Sequence, residues 1–596
     1  CGRLYDTPES PLNLNITLFD QMKESQVFAT LFTVTERDFK FELPDVINPH
    51  LWSPDDPNLY TVHVMLSHDG IPLDHLTGNL GFRYVDFPEN DVFSLNGERL
   101  LLQGTHRHED WAGYGGAVPQ HIVRQEFQQI KDAGFNFVRL GHYPQGDFVL
   151  DLCDQLGLIV WDELPWCRGG VGEETFKQYA RAMLREMIEQ HYNHPSVVFC
   201  GLGNELDWES EHVNSTEAYV IDFLRELQAQ TRQLDPTRLT AVRRFEPAKD
   251  IVDVVSPSIW SGWYRGRYED YEIALKNELA HYPRLLHIEW GGDSHVGRHN
   301  NGPHILTDIE TTTDHGEVPG TATSSEGFSR YSKDGDWSES YIIDLMAHHL
   351  TVQARMSELA GYAQWVFKDF GTPLRPENPV PYVNQKGLIT RDGTPKDAYY
   401  VFKAFQIQSA LVHIESSGWD TRIGDNSQPQ AIRVITNCEQ VELFVNNESQ
   451  GIKQVPTSPA GIVGWNALLS VGNNSIKANG IVGNMIKAQH EITAQFAIGN
   501  CASVAGFNAY VDLNDQNTRV VCQLIDNDGY PVTNDERRVR FSTTPASTLY
   551  TNKGFMGGSD VIETANGRAW INVNAPSDGE IFVQVDGLGT KTVRLN

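Results

Sequence analysis

From about residue 88 to residue 408, short apolar runs alternate with amphipathic stretches, and this alternation restricts the fold more than any other feature of the chain. The runs are RLLLQGTH (99–106), FNFVRL (135–140), LIVWDE (158–163), SVVFCGLGNE (196–205), RLTAVRR (238–244), DVVSPSIW (253–260), RLLHIEW (284–290) and GYAQWVF (361–367). Between them, segments such as QEFQQIKDAG and TFKQYARAMLREMIEQHY place apolar residues three and four apart, with Glu, Lys and Arg on the other face, which is helical period. Eight strands with intervening helices predict a (β/α)8 barrel, because parallel strands need crossover connections and both faces of the sheet need cover.

The flanks read differently. Residues 1–87 carry LNLNITLFD, QVFATLFTV and YTVHVMLSH between turns such as SPDDPN and SHDGIP, a β pattern. After about 408 strand-like runs return (AIRVITN, QVELFVNN, SIKANGIV, then NAYVDL, TRVVCQLID, IFVQVDG). The prediction is a multidomain chain: an immunoglobulin-like β-sandwich at 1–87, incomplete at its start, the TIM barrel at 88–408, a β-sandwich at 409–496 and an immunoglobulin-like one at 497–596. At 596 residues the chain is too long for a single core.

A formal charge of −31 disfavours nucleic acid and anionic membranes as partners. No apolar stretch is long enough to span a bilayer. The cysteines at 1, 153, 167, 200, 438, 501 and 522 form no CxxC pattern, so no zinc site is read, and Cys501 with Cys522 is the one disulfide candidate. An N-terminal Cys is either a processed lipoprotein end or the point where a fragment was cut. The cut is the preferred reading, and a periplasmic or extracellular location is preferred to a cytoplasmic one.

In a barrel of this kind reactive groups emerge at the C-terminal ends of strands. Those ends carry His106, Arg107, His108, Glu109 and Asp110; His142; Asp162 and Glu163; Asn204 and Glu205; Trp260; Glu289; and Trp365 to Asp369. Two carboxylates across a pocket with aromatic walls and hydroxyl-binding Asn and His are what glycoside hydrolysis requires, and Glu205 with Glu289 is the pair selected. Asp162 and Glu163 stand equally as groups behind the site or as partners of Arg139.

At these residues the chain resembles glycoside hydrolase family 2, which holds β-galactosidases, β-glucuronidases and β-mannosidases. The matching phrases are LWSPDDPNLYTV, GFRYVDF, LNGERLLLQGTHRHED, AGFNFVRLGHYP, GLIVWDELP, HPSVVFCGLGNE, LLHIEWGG and NQKGLITRDGTPK, over about residues 40–408. The resemblance implies a retaining exo-β-glycosidase with Glu205 as acid/base and Glu289 as nucleophile, hence carboxyls roughly 5–5.5 Å apart and a protonated Glu205 opposite an ionised Glu289. It implies Asn204 on the sugar 2-hydroxyl, His108 and His142 on ring hydroxyls and Trp365 as an apolar floor, with His106, Asp162, Trp260 and Asp369 also placed among the substrate-binding residues. Two positions depart from the family pattern: His106 stands where Asn is usual, and Trp260 where a nucleophile-steadying Tyr is common, leaving Tyr264 as a candidate for that role. Family members also begin with a jelly-roll domain, which residues 1–87 do not supply.

The HRHED and EWGGDS phrases are similar to β-galactosidases of polysaccharide-degrading bacteria, so a β-galactosidase acting on plant or algal galactan oligosaccharides is the leading expectation. The alternative is a β-glucuronidase, in which Asn384 and Lys386 hold a uronate carboxylate. A non-catalytic carbohydrate-binding protein is the distant third, disfavoured because both carboxylates are present. No cofactor or metal is expected, and family analogy suggests a homodimer. The polar segment from Asp293 to about Asp336 is expected to shape outer subsites, with Arg298 and neighbouring histidines reading an anionic saccharide.

Overall fold

A computed structural model describes residues 2–208, 212–214, 216–264, 267–300, 336–456, 459–500, 503–514, 517–544, 548–549, 560–574 and 579–595. Its centre is a parallel sheet of eight strands: β1 (Leu102–Arg107), β2 (Phe137–Leu140), β3 (Ile159–Glu163), β4 (Val197–Asn204), β5 (Leu239–Arg243), β6 (Val254–Ser256), β7 (Leu286–His287) and β8 (Gly361–Gln364). The order is β6-β5-β4-β3-β2-β1-β8-β7, a nearly closed barrel. At its seam the Ile288 N–H donates to Ser256 Oγ at 3.0 Å, a side chain substituting for a ladder bond between β6 and β7. Helices α1 (Gln120–Asp132), α2 (Asp147–Leu156), α3 (Glu174–His191), α4 (Glu217–Leu234), α5 (Tyr271–Leu279), α6 (Glu339–Arg355) and α7 (Asp397–Gln406) surround it.

Strands six and seven are shorter than the sequence pattern suggests, and the reasons are local. Pro257 has no N–H to offer a ladder and follows the last residue of β6. Beyond His287 the chain leaves the sheet, which carries Glu289 into the mouth of the barrel.

The lower interior is filled by Leu102, Phe137, Ile159, Trp161, Phe199, Ala241, Val254 and Leu286, closed from beneath by Trp52, Phe87 and Phe93. The large Trp161 fits because residue 201 is Gly: a Cβ there would lie 2.4 Å from the indole nitrogen. A plug this dense fixes the strands from which the site projects.

Residues before the barrel form an antiparallel sheet ordered Ser25–Val34, Leu12–Asp20, Tyr60–His68, Ile71–Leu80. After it come a three-stranded and a five-stranded sheet around Ile432, Val434, Leu443 and Phe496, then two four-stranded sheets around Phe507, Val539, Ile562 and Val583. Cys522 is a free, buried thiol pushed up to about 12 by burial, which corrects the expected disulfide; Cys501 lies outside the described residues.

One barrel loop reaches into the last sandwich. Phe370–Gly371 pairs antiparallel with Val383–Asn384, and within that excursion Val380 and Val383 join the sandwich core beside Phe507 and Ile562.

Candidate active site

Glu205 follows the last residue of β4 in left-handed backbone, φ 53°, with its N–H donated to the Arg243 carbonyl at 2.9 Å. This turn swings its carboxyl off the strand and into the barrel mouth. Glu289, two residues past β7, is also buried there. Arg243, the last residue of β5, joins the two: Nη1 bonds Glu205 and Nε lies 2.7 Å from Glu289. Arg168 and Arg244 approach Glu205 at 3.5 and 3.6 Å, and Arg139 approaches Glu289 at 3.4 Å.

The charges divide unevenly. Burial works against an ionised Glu205, but Arg243, Arg244 and Arg168 outweigh it and hold the carboxyl down at about 2. Burial raises Glu289, the negative charge of Glu205 adds to the rise, and Arg243 and Arg139 oppose it only in part. In this arrangement the order is therefore the reverse of the protonated Glu205 and ionised Glu289 expected from sequence, because three of the arginines converge on Glu205.

Arg139 organises the floor. Its Nε and Nη2 each donate to Glu163 at 2.8 Å, and Nη2 also donates to Asn204 Oδ1 at 2.9 Å. Glu163 accepts further from Trp161 Nε1 at 2.8 Å and pairs with His142 Nδ1 at 2.9 Å, so despite burial it stays ionised, down at about 2. The His142 ring stacks on Trp365, centroids 5.1 Å apart. Of the two acidic neighbours, Glu163 thus belongs to the site. Asp162, placed with the substrate-binding residues from sequence, points to the opposite side of the strand and pairs with His191 of α3 at 2.6 Å.

Two further assignments are corrected. His106 is fully buried and donates from Nε2 to the Ile288 carbonyl, so it braces the segment carrying Glu289. Asp369 accepts from Lys396 Nζ at 2.9 Å and Gly387 N at 2.8 Å, fixing the turn after Lys386; burial raises it to about 6. His108 remains with the sugar-binding group: its ring stacks on Phe370 at 4.1 Å, lies 5.3 Å from Trp365, and keeps a buried Nε2 without a protein partner among the described residues. Burial keeps it neutral, well below the ordinary histidine range.

A cationic wall stands beside the pair. Lys386 Nζ is buried, bonds Asp293 and lies 5.0, 5.8 and 5.9 Å from the ring centroids of Tyr264, Trp263 and Trp260. Despite burial, Asp293 keeps the ammonium charged and its pKa raised. Asn384 Oδ1 accepts the backbone N–H of Lys386 at 3.2 Å, which ties the Asn384 side chain to the Lys386 backbone. Arg375 donates to the Tyr264 hydroxyl at 3.3 Å, so Tyr264 serves this wall, while Glu289 is held by Arg243 and Arg139. Arg168, Arg243, Arg244 and Arg375 escaped the sequence reading. Arg243 ends a predicted strand and could have been found there; Arg168 and Arg375 lie in loops with no periodic signal.

From His295 to residue 300 the segment turns toward the later domains. His295 donates to the Glu563 carbonyl at 2.7 Å, Arg298 bonds Glu563 at 3.1 Å, and His299 meets Glu415 at 2.9 Å and the Ser417 carbonyl at 2.8 Å. These are ties between domains, which corrects the anionic-saccharide expectation for them; residues 301–335 lie outside the described set. His299, Glu339 and Asp397 cluster closely enough to suggest metal ligands, but both ring nitrogens of His299 are already donated to protein oxygens.

Sequence comparison matches residues 88–414 to the TIM barrel domain of glycosyl hydrolases family 2, 9–83 to a further domain of glycosyl hydrolases family 2, and 427–485 to a domain of unknown function (DUF4982). The chain is 39% identical over 572 residues to a putative beta-glucuronidase of Formosa agariphila, covering 94% of this chain and 68% of that protein. The crystal structure of Parabacteroides merdae beta-glucuronidase superposes with a TM-score of 0.90 at 38% identity, over 98% of this chain and 74% of that one. A beta-galactosidase of Thermoanaerobacter pseudethanolicus is 36% identical over 251 residues, only 41% of this chain and 31% of that protein. The chain thus spans about two thirds or less of these curated relatives. The β-galactosidase expectation is overturned: the matches that run nearly the whole chain are to proteins named glucuronidases.

Proposed function

Because the chain belongs to glycosyl hydrolase family 2, a family of glycosidases, we propose that it is a retaining exo-β-glucuronidase that releases terminal glucuronic acid from an oligosaccharide or other glucuronide. The observation that carries this reading is Lys386. A charged ammonium held by Asp293 in an aromatic wall, with the Asn384 side chain bonded to the lysine's backbone N–H and Arg375 on the Tyr264 hydroxyl, suits a glycone bearing a carboxylate at C6. A neutral galactose offers that ammonium only a hydroxyl, where a uronate offers a charge-assisted contact.

In the proposed reaction Glu289 attacks the anomeric carbon and Glu205 protonates the leaving oxygen; Glu205 then takes a proton from the water that breaks the glycosyl ester. Arg243 and Arg139 partly offset the burial that disfavours the Glu289 anion, the form that attacks. Asn204, oriented by Arg139, is set to bond the 2-hydroxyl, and Trp365 with His142 forms the floor.

The test is hydrolysis of p-nitrophenyl β-D-glucuronide, galactoside, glucoside and mannoside. Glucuronide turnover at least about a hundredfold above the others is expected, given the strength of a charge-assisted contact. Preference for the galactoside would sink the reading.

A further inference from the structure

The wall that carries Lys386 is not built by the barrel alone. It stands on two loops, 293–299 and 377–386, and both are fastened to the strand Val561–Glu563 of the last sandwich. Glu563 uses both of its backbone polar groups for this. Its N–H donates to the Pro379 carbonyl at 2.7 Å, and its carbonyl accepts from His295 Nε2 at 2.7 Å.

From His295 the chain of bonds continues to the site. His295 Nδ1 accepts from Gln385 Nε2 at 3.1 Å, and Gln385 Oε1 accepts from the Val380 N–H at 3.0 Å, which fixes the orientation of the amide. The Gln385 N–H donates to Asp293 Oδ1 at 3.1 Å, and the other oxygen of Asp293 holds the Lys386 ammonium. Gln385 thus lies between Asn384 and Lys386 in sequence, and its side chain runs toward the sandwich. Val380 and Val383 anchor the same loop in the sandwich core, and Arg538 donates to the Glu377 carbonyl at 3.2 Å. None of these bonds is made by Glu205, which follows β4, or by Glu289, which follows β7.

We propose that the C-terminal sandwich is a specificity element for the barrel: through Glu563, His295 and Gln385 it sets the position of Lys386, so discrimination for a C6 carboxylate depends on a domain that carries neither catalytic glutamate. This rests on the reading of Lys386 as the carboxylate contact. His295 is then a positioning residue. Its Nε2 donates outward and its Nδ1 accepts inward, a pairing that a glutamine amide reproduces and an aliphatic side chain cannot.

The experiment compares binding of p-nitrophenyl 1-thio-β-D-glucuronide and the matching 1-thio-β-D-glucoside, which differ only at C6, by titration calorimetry on the whole chain. The proposal expects His295→Leu to weaken the thioglucuronide about tenfold or more while the thioglucoside stays within about twofold, as fits loss of one aligned charged contact. His295→Gln should restore the preference. If His295→Leu does not fold, Gln385→Met breaks the shared Gln385–His295 bond, and the bond to the Val380 N–H with it, using an unbranched side chain, and carries the same expectation. Equal weakening of both ligands, or an unchanged ratio, would show the ties to be structural only and overturn the proposal. The two readings separate through Lys386→Met. If that variant loses the preference while His295→Leu keeps it, the carboxylate reading stands and the positioning role falls. If the unmodified chain shows no preference for the thioglucuronide, both fall.

Discussion

Arg243 Nε lies 2.7 Å from a carboxylate oxygen of Glu289, an ion pair, while Nη1 of the same guanidinium bonds Glu205. One cation therefore sets the ionisation of both carboxyls, and the pH dependence of the enzyme should follow it. Removing a nearby positive charge raises the pKa of a carboxylate. Arg243→Gln is expected to move both limbs of the kcat/KM profile on the glucuronide to higher pH and to lower the maximum about a hundredfold. A profile unmoved on both sides would show that Arg243 only supports the fold.

The two glutamates should fail differently. Glu289→Gln is expected to reduce turnover of p-nitrophenyl glucuronide by at least about a thousandfold, since no covalent intermediate can form. Glu205→Gln should preserve the first step on this good leaving group, give a burst of p-nitrophenol and then stall. Added azide, which needs no general base, should restart it and yield the β-glucuronyl azide. An α-configured azide would mean that the stereochemistry inverts.

Lys386 cannot be removed cleanly by itself. Lys386→Met leaves Asp293 buried without its partner, a loss on the order of 3–5 kcal/mol of stability. Lys386→Met with Asp293→Asn removes both charges and should be the more stable variant by thermal melting. Both variants should lose about ten- to a hundredfold in kcat/KM for the glucuronide and little for the glucoside. Equal losses on the two substrates would assign Lys386 to structure.

The junction between barrel and second sandwich has its own pH signature. Burial and the charge of Asp397 raise Glu339 from 4.5 to about 8, so between these values the folded chain keeps a proton that the unfolded chain has released, and stability falls as pH rises. His299 is raised from 6.5: burial disfavours its charge, but the bond to Glu415 outweighs it, and its contribution is full below 6.5 and lost above the raised value. Glu415, held at about 2 by Arg433 and His299 against its burial, contributes above its unfolded 4.5 and loses that contribution as pH drops toward 2. The melting temperature should therefore peak between about pH 4.5 and 6.5. Glu339→Gln should flatten the alkaline side. A melting temperature that rises steadily from pH 5 to 8 would contradict this account.

What the sequence determined by itself was whatever rests on period and on adjacency along the chain. The strand and helix alternation of 88–408 specifies the barrel, and the barrel dictates that Glu205, Glu289, His142 and Trp365 face one mouth, because strand ends converge there. Adjacency also marked Asn204 beside Glu205 and Asn384 beside Lys386. What only the tertiary structure decided were the partners. Asp162 and Glu163 are neighbours of similar chemistry, yet alternation across the sheet sends one to His191 and the other to Arg139. His295, Arg298 and His299 read as a saccharide-binding cluster until the fold sets them against Glu563 and Glu415, more than a hundred residues away. The Asn-x-Lys phrase gave no sign of its partner either, since only the fold sets Asp293 and the Trp260–Tyr264 wall around the Lys386 ammonium. Local sequence fixes which groups a segment can offer; which of them stay charged, and toward what they point, is set by long-range burial and pairing.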